Sequence, residues 1–258
     1  MNCNIGKQKE CFENIYSTSE EKKWNFHDTD DILVRYLRDR RIKIAIEHLK
    51  KLIKSQYNQW NALVICGGVG GEGTLLADLG FNSVTVSDIS ENALEICKKR
   101  DPRIKTILLN AEDLTIPDNS YDLVIVQDGL HHLPRPANGF TEMLRVSKKA
   151  IIVIEPHSGI ISKLFGTIWE KHDNTINYVF RWNKFIFKEL TLSYLLQKNL
   201  YIKVIRLWDH NCFMMKISEK VSKNNKLLRL NFIKLCYDIL NTLFWWLGNM
   251  MIGIIIKK

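Results

Sequence analysis

A chain of 258 residues is long enough to bury one full core and carry an appendage, and 46% apolar with 25% charged residues is ordinary for a soluble globular protein. Six scattered cysteines without a C-x-x-C pair exclude a disulfide or zinc framework and fit reduced thiols in the cytoplasm; the N-terminal stretch lacks the apolar run of a signal peptide. The net charge of +9 is lopsided, with 14 Lys+Arg against 4 Asp+Glu in residues 181–258 and 23 against 24 in residues 1–180, so the basic segment faces solvent, a membrane surface, nucleic acid or an acidic substrate.

Residues 1–31 are polar and end in "HDTDD", where Asp30 or Asp31 can cap a helix over 32–55 whose apolar positions recur at helical spacing. The texture then changes. "ALVIC" reads as a short buried strand, "EGTLLADLG" as a helix closed by Gly80, "SVTVSD" as a second strand, and "SENALEICKKR" as a helix capped by Ser90. "KTILL" is a third strand, "YDLVIVQD" a fourth, "PANGFTEMLRVS" a helix and "KAIIVIEP" a fifth strand. Strands alternating with helices imply crossover units and a parallel, doubly wound α/β sheet with helices on both faces. Beyond it, 156–189 is irregular and aromatic-rich, "FKELTLSYLLQKN" looks helical, and "YIKVIRLW" and "NCFMMKIS" look like two closing strands. The division expected is 1–60 as an N-terminal helical segment, 61–222 as the main domain with 156–189 inserted as a cap, and 223–258 as a basic and apolar tail.

Gly68-Val69-Gly70-Gly71-Glu72-Gly73 follows the first strand, and Asp88 closes the second. Glycines there let a ligand approach the backbone, the next helix offers free N–H groups, and an acid at the end of the second strand suits ribose hydroxyls. This pattern alone serves a dinucleotide or a smaller nucleotide-like cofactor equally well.

The later residues separate the two. "LLNAEDLTIPDNSYDLVIVQDGLHHL" resembles the acidic-loop and strand-four region of the class I S-adenosylmethionine-dependent methyltransferases, through Asn110, Ala111, Leu114, Pro117, Asp118, Ser120, Tyr121 and Asp122, then His131, His132 and Leu133. Glu142 and Arg145, three apart on the next helix, match as well, and the resemblance covers about residues 60–155. Departures are Cys66 for the acid that opens the glycine loop, Glu72 for its third glycine, Asn110 for the adenine-loop acid, and "SKKA" for the turn before strand five.

The resemblance implies a mostly parallel, seven-stranded Rossmann-like sheet with an N-terminal helical segment and a C-terminal helical tail, and S-adenosylmethionine as cofactor. It implies that Gly67, Gly68, Gly70, Asp88, Ile89, Asn110, Ala111, Glu112 and Asp128 hold that cofactor, with Asp88 on the ribose and Ile89 on the adenine. The reaction implied is methyl transfer to a small or envelope- or lipid-linked molecule. A catalytically inactive cofactor-binding module is the alternative, and an NAD-dependent oxidoreductase fails to account for residues 110–133.

Candidate groups for acceptor chemistry lie where strands four and five end: His131, His157 and Glu155, with His132 more suited to packing under the next helix. Arg181, amid Tyr178, Phe180 and Trp182, suits a carboxylate or phosphate. No metal is expected. Ile239–Ile256 is uncharged for eighteen residues and, with Lys223, Lys226, Arg229 and Lys234 before it, reads as a helix lying in the cytoplasmic leaflet of an anionic membrane or packed on the domain. No basic motif interleaved with base-reading groups supports nucleic acid.

Overall fold

Short apolar strands separated by capped helices build the centre of the molecule in the order expected. The computed structural model describes residues 5–17, 31–53, 56–172, 175–196 and 200–257. The parallel core comprises β1 (Asn61–Val64), β2 (Ser83–Asp88), β3 (Lys105–Leu108), β4 (Tyr121–Gln127) and β5 (Ser147–Pro156). Their crossovers run through α3 (Gly71–Asp78), α4 (Glu91–Arg100) and α5 (Pro136–Val146). Two strands, β8 (Leu200–Leu207) and β9 (Met250–Lys257), complete a seven-stranded sheet in the order β3-β2-β1-β4-β5-β9-β8. Strand order reverses between β1 and β4, so the crevice for a ligand opens at the carboxyl ends of those two strands.

The strands are apolar on both faces because each face is covered. One core layer joins Val64, Val86, Ile125, Ile152 and Ile254 to the apolar side of α2 (Ile32–Ile53). The other joins Leu63, Val124, Val153 and Ile255 to α5 and to α7 (Lys184–Leu195). Asp31 caps α2 by accepting from Leu33 N at 2.9 Å; Asp30 and Ser55 lie outside the described residues. Ser90 caps α4 as expected, its hydroxyl accepting from Ala93 N.

The C-terminal third differs from the sequence expectation in three places. "NCFMMKIS" lies in a helix, α8 (Asn211–Val221), whose buried Met214 and Ser218 are four apart, a helical spacing that outweighs its β-prone residues. The apolar run Ile239–Ile256 is not one helix. It begins in α9 (Lys226–Leu243), turns through Trp245–Leu247, and enters the sheet as β9. Strand β9 pairs antiparallel with β5 on one side and β8 on the other, from Ala150↔Ile256 to Pro156↔Met250 and from Leu200↔Lys257 to Leu207↔Met250. A continuous apolar run fits a doubly buried strand and a buried helix alike, and the β-branched composition of "MIGIII", residues 251–256, decides for the strand. Gly253 is required there: a Cβ would lie 2.4 Å from the Phe187 ring. Residues 250–257 are therefore core, not tail. Helix α9 packs through Ile233 and Tyr237 on Leu33, Leu37 and Met214.

Residues 156–189 contain α6 (Ile160–Phe165) and an antiparallel hairpin of β6 (Trp169–His172) and β7 (Thr175–Tyr178). They sit over the carboxyl ends of β4 and β5, tied by His157 pairing with Trp182. Within residues 1–60, α1 (Ile5–Ser17) closes the crevice from the other side.

Candidate active site

The crevice is a cavity of about 620 Å³, within the range of small-molecule sites. Its floor is backbone. After β1 the chain turns sharply: Cys66 takes φ 51° and Gly68 φ 50°, and Gly67 N donates to Ser87 O. Cys66 is in the left-handed region that disfavours side chains, and so is Asp128 (φ 53°) at the end of β4. Strain of that kind persists where surrounding structure over-determines it, and both residues line the cavity. Gly70 has a different job: a Cβ there would lie 2.2 Å from Cys97 Sγ, so it lets the turn pack on α4 and does not reach the cavity wall.

Asp88 closes β2 at the cavity. Its Oδ2 accepts from Gly68 N at 2.8 Å and its Oδ1 from Ser90 N at 3.0 Å. Burial pushes its pKa up against those backbone donors. Each oxygen keeps a lone pair, so two hydroxyls on adjacent carbons can still be accepted. Ile89, Leu109 and Ala111 add apolar wall next to it. Asn110 lines the same wall with its Oδ1 taken by Glu112 N. Glu112 turns away from the cavity: its carboxylate accepts from Arg135 N at 2.5 Å and Nε at 2.8 Å. Glu142 and Arg145 act behind this loop. Glu142 accepts from Leu114 N, while Arg145 donates to the carbonyls of Leu114 and Ile116.

Helix α1 completes this end. Glu13 accepts from Ser90 Oγ, Glu91 N and Asn92 N, thereby docking α1 on the free N–H groups of α4. Ile5, Gln8, Phe12, Ile15 and Tyr16 then face the cavity, with the Tyr16 hydroxyl over Gly68. Burial raises the Tyr16 phenol, with Asp88 and Glu72 adding to it. The spacing 5, 8, 12, 15 and 16 was a legible helical stripe in the sequence, hidden within a stretch otherwise polar.

Asp128 is neutralised from below. The side chain of Arg41, almost wholly buried on α2, reaches Asp128 Oδ2 at 2.5 Å and Asp209 Oδ2 at 3.2 Å. Burial opposes the Asp128 charge, but Arg41 and the neighbouring histidines hold its pKa below the usual carboxylate range. The "RDRR" run of α2 gave no sign in sequence that one of its arginines sits under a strand end 87 positions later.

The far end of the cavity is made of side chains. Fully buried Glu155 accepts from Gly129 N and Leu130 N at 2.9 and 2.7 Å, and holds His131 Nδ1 at 2.7 Å. Burial disfavours the charged ring, yet Glu155, then Glu170 and Asp128, outweigh it and raise the His131 pKa to about 10. At neutral pH His131 is thus a donor, not a base. Glu170 on β6 stands 3.6 Å from both His131 Nε2 and His132 Nδ1. Arg181, Phe165 and His210 line the same end. His157 does not: it faces a separate small hollow with Arg206, Lys163 and Trp246, where burial and Arg206 lower its pKa to about 4. Trp182 is core packing against Phe140, Phe180 packs edge-on against Trp182, and Tyr178 is exposed.

The structure thus brings Gly67, Gly68, Asp88, Ile89, Asn110, Ala111, Asp128 and His131 to one cavity, puts Glu155 directly behind it, and leaves Gly70, Glu112 and His157 outside. Residues 63–154 match the family model described as a methyltransferase domain. This segment thus matches a methyltransferase domain, as the resemblance to the class I S-adenosylmethionine-dependent methyltransferases implies. Relatives of the methyltransferase domain include the demethylmenaquinone methyltransferase of Clavibacter sepedonicus, 35% identical over 89 residues, which are 33% of this chain and 36% of that protein. The enzyme of the same name from Staphylococcus aureus (strain MRSA252) is 28% identical over 157 residues, 58% of this chain and 56% of its own. The chain thus spans about a third to just over half of the curated relatives it matches. Among solved structures, a possible histamine N-methyltransferase from Thermotoga maritima superposes with TM-score 0.57 at 16% identity, covering 96% of this chain and 99% of that one. The Haemonchus contortus phosphoethanolamine N-methyltransferase 2, solved with S-adenosylhomocysteine, gives 0.56 at 15%, covering 96% and 60%. At such identities these likenesses speak for the fold.

Proposed function

We propose that the protein moves a methyl group from S-adenosylmethionine to a small-molecule acceptor with an apolar body, a lipid-linked or envelope molecule included. The observation that carries this reading is a single cavity with two chemically distinct ends: the glycine turn with Asp88 at one, and His131, His132, Glu170 and Arg181 at the other. The first end fits the cofactor. A carboxylate with spare lone pairs, an open backbone turn at Gly68 and an apolar wall of Ile89, Leu109 and Ala111 are what a ribose and adenine need. When bound, the cofactor supplies a methyl group on a sulfonium that a nucleophile displaces in line.

The remaining work is done by this chain. Asp88 accepts ribose hydroxyls, and α1 screens the cavity from water through Phe12, Ile15 and Tyr16. His131, its Nδ1 fixed by Glu155, presents Nε2 to the acceptor and orients it, so that rate comes mainly from positioning. The relatives named for demethylmenaquinone support an acceptor with a large apolar part. So does Phe165 of α6, 76% exposed and lining the cavity.

The same reading places the protein against the inner face of an anionic membrane. No helix among the described residues is long and apolar enough to cross one. The surface that suits a bilayer is Leu243, Trp245 and Trp246 with exposed Lys220, Lys223, Lys226 and Lys234 of α8–α9, not the buried β9.

Calorimetric titration with S-adenosylhomocysteine tests the cofactor, and release of S-adenosylhomocysteine in the presence of lipid-extract acceptors tests transfer. Tight binding without turnover on any acceptor would leave an inactive cofactor-binding module; absence of binding would end the reading.

A further inference from the structure

Three potential ligand atoms converge at the acceptor end: His131 Nε2, His132 Nδ1 and a Glu170 carboxylate oxygen, all within 4.8 Å of one another. We propose that they form a divalent-cation site of the two-histidine, one-carboxylate kind, taking a cation that accepts mixed nitrogen and oxygen ligands, such as Zn²⁺, Co²⁺ or Mn²⁺. Ligands about 2.1 Å from a tetrahedral cation lie about 3.4 Å apart. Both histidine-to-Glu170 separations are 3.6 Å, so they need to contract by only about 0.2 Å; the two histidine nitrogens, within 4.8 Å of each other, would have to close to the same separation.

Glu155 is the observation that sets this cluster apart from an ordinary polar contact. A metal-bound imidazole nearly always gives its other N–H to a carboxylate or carbonyl, which fixes the ring's tautomer and aim. His131 Nδ1 has that partner at 2.7 Å, and Glu155 is itself locked by two backbone N–H groups and wholly buried. The ring is therefore oriented so that only Nε2 faces the cavity, and a cation there takes the place of the Nε2 proton. His132 follows in the same tight turn, Leu130–His132, which holds the two rings 4.1 Å apart. Three protein ligands leave at least one coordination position open toward the cavity, as in sites that act on a substrate.

The cation site stands on this geometry alone; its use rests on the transferase reading. A hydroxyl acceptor must lose a proton. A cation bound to the acceptor oxygen would lower its pKa so that the proton passes to water, after which the carbon–sulfur bond breaks as the carbon–oxygen bond forms.

The test uses the full chain, stripped with chelator and titrated with Co²⁺ while visible absorption is recorded, then with Mn²⁺ by water-proton relaxation. The expected result is one equivalent per chain, with no thiolate-to-cobalt charge-transfer band. Glu170→Gln and His132→Asn should each weaken binding at least about tenfold, with the circular dichroism of the native fold and S-adenosylhomocysteine affinity retained. Glu170→Asp, which keeps a carboxylate, should still bind and should shift the Co²⁺ spectrum, so a misfolded Gln variant does not remove the test. Wild type that binds neither cation, a thiolate band placing the ion on a cysteine, or variants that bind as well as wild type would each overturn the site. Cation binding without cofactor binding would overturn the transferase reading and leave this one standing.

Discussion

The two ends of the cavity are built by different means. The cofactor end is made largely by main chain: a turn after β1 that leads into α3, and one carboxylate held by two amides. The acceptor end is made by side chains from elements remote in sequence: Gln8 and Phe12 on α1, His131 and His132 after β4, Glu170 on β6, Arg181 before α7 and His210 before α8. A backbone site constrains sequence locally and tolerates little change. A side-chain site can be rebuilt for another acceptor by substituting residues that the scaffold does not need. Where Gln8 donates to His132 O, and Phe12 meets the His132 ring edge-on at 5.9 Å, one end touches the other through α1.

If the ends are separable, variants should separate them. The largest effect is expected at the acceptor end: His131→Gln should lower turnover about 100-fold or more while S-adenosylhomocysteine binds nearly as before, read as kcat against calorimetric Kd. Equal loss of both would mean the histidine supports the whole cavity. Asp88→Ala should do the reverse and weaken S-adenosylhomocysteine binding at least about tenfold, since each charge-assisted bond to a ribose hydroxyl contributes about 1.5–3 kcal/mol. Unchanged affinity would remove Asp88 from the site. Glu13→Gln tests the element shared by both ends. It keeps the shape, loses the charge on the α4 N-terminus, and should weaken the cofactor only a few-fold, with faster amide exchange across α1.

His157 offers a control outside both ends. Its folded pKa, about 4, lies below the ordinary histidine value, so the unfolded chain takes up a proton that the native state refuses as pH falls from about 6.5 toward 4. Stability from this group is full above pH 6.5 and is lost over that window, on the order of 2–3 kcal/mol. His157→Asn should flatten the acid limb of a chemical-denaturation profile without moving cofactor affinity; an unchanged limb would show that His157 is not the group responsible. The smallest effect is at the surface. Trp245→Ser with Trp246→Ser should reduce co-flotation with anionic vesicles a few-fold and leave turnover on a water-soluble acceptor alone; equal flotation would assign membrane contact elsewhere or nowhere.

The same contrast explains what could be read from sequence. The strand and helix order from Asn61 to Pro156, the Ser90 cap and the position of Asp88 at the cavity end of β2 were legible because each depends on neighbours within a few residues. The adenine-side loop was legible only through resemblance, and one of its members, Glu112, proves to be engaged by Arg135. Three things were not legible. Arg41 reaches Asp128 across the sheet, Glu13 caps a helix 78 residues away, and Glu170 meets the histidine pair through a hairpin whose sequence resembles irregular aromatic chain. Long-range pairing of charges leaves no periodic trace. The apolar run at 239–256 was legible as buried but not as to its element, because strand and helix share that pattern when every face is covered.

One feature of the sheet governs the order in time of its assembly. Strand β9 follows all its partners in sequence, yet sits between β5, about a hundred residues earlier, and β8. The parallel strands up to β5 can pair as they emerge, but β8 has no place in the sheet until β9 has arrived to bridge it. Closing a loop of that length is slow, and meanwhile β5, buried at nearly every position in the native state, presents an open apolar edge. Refolding should therefore show a fast phase for the nucleotide-binding half and a slow one for the other. Between the two phases the chain is most exposed to pairing with its neighbours, so recovery from denaturant should fall as protein concentration rises.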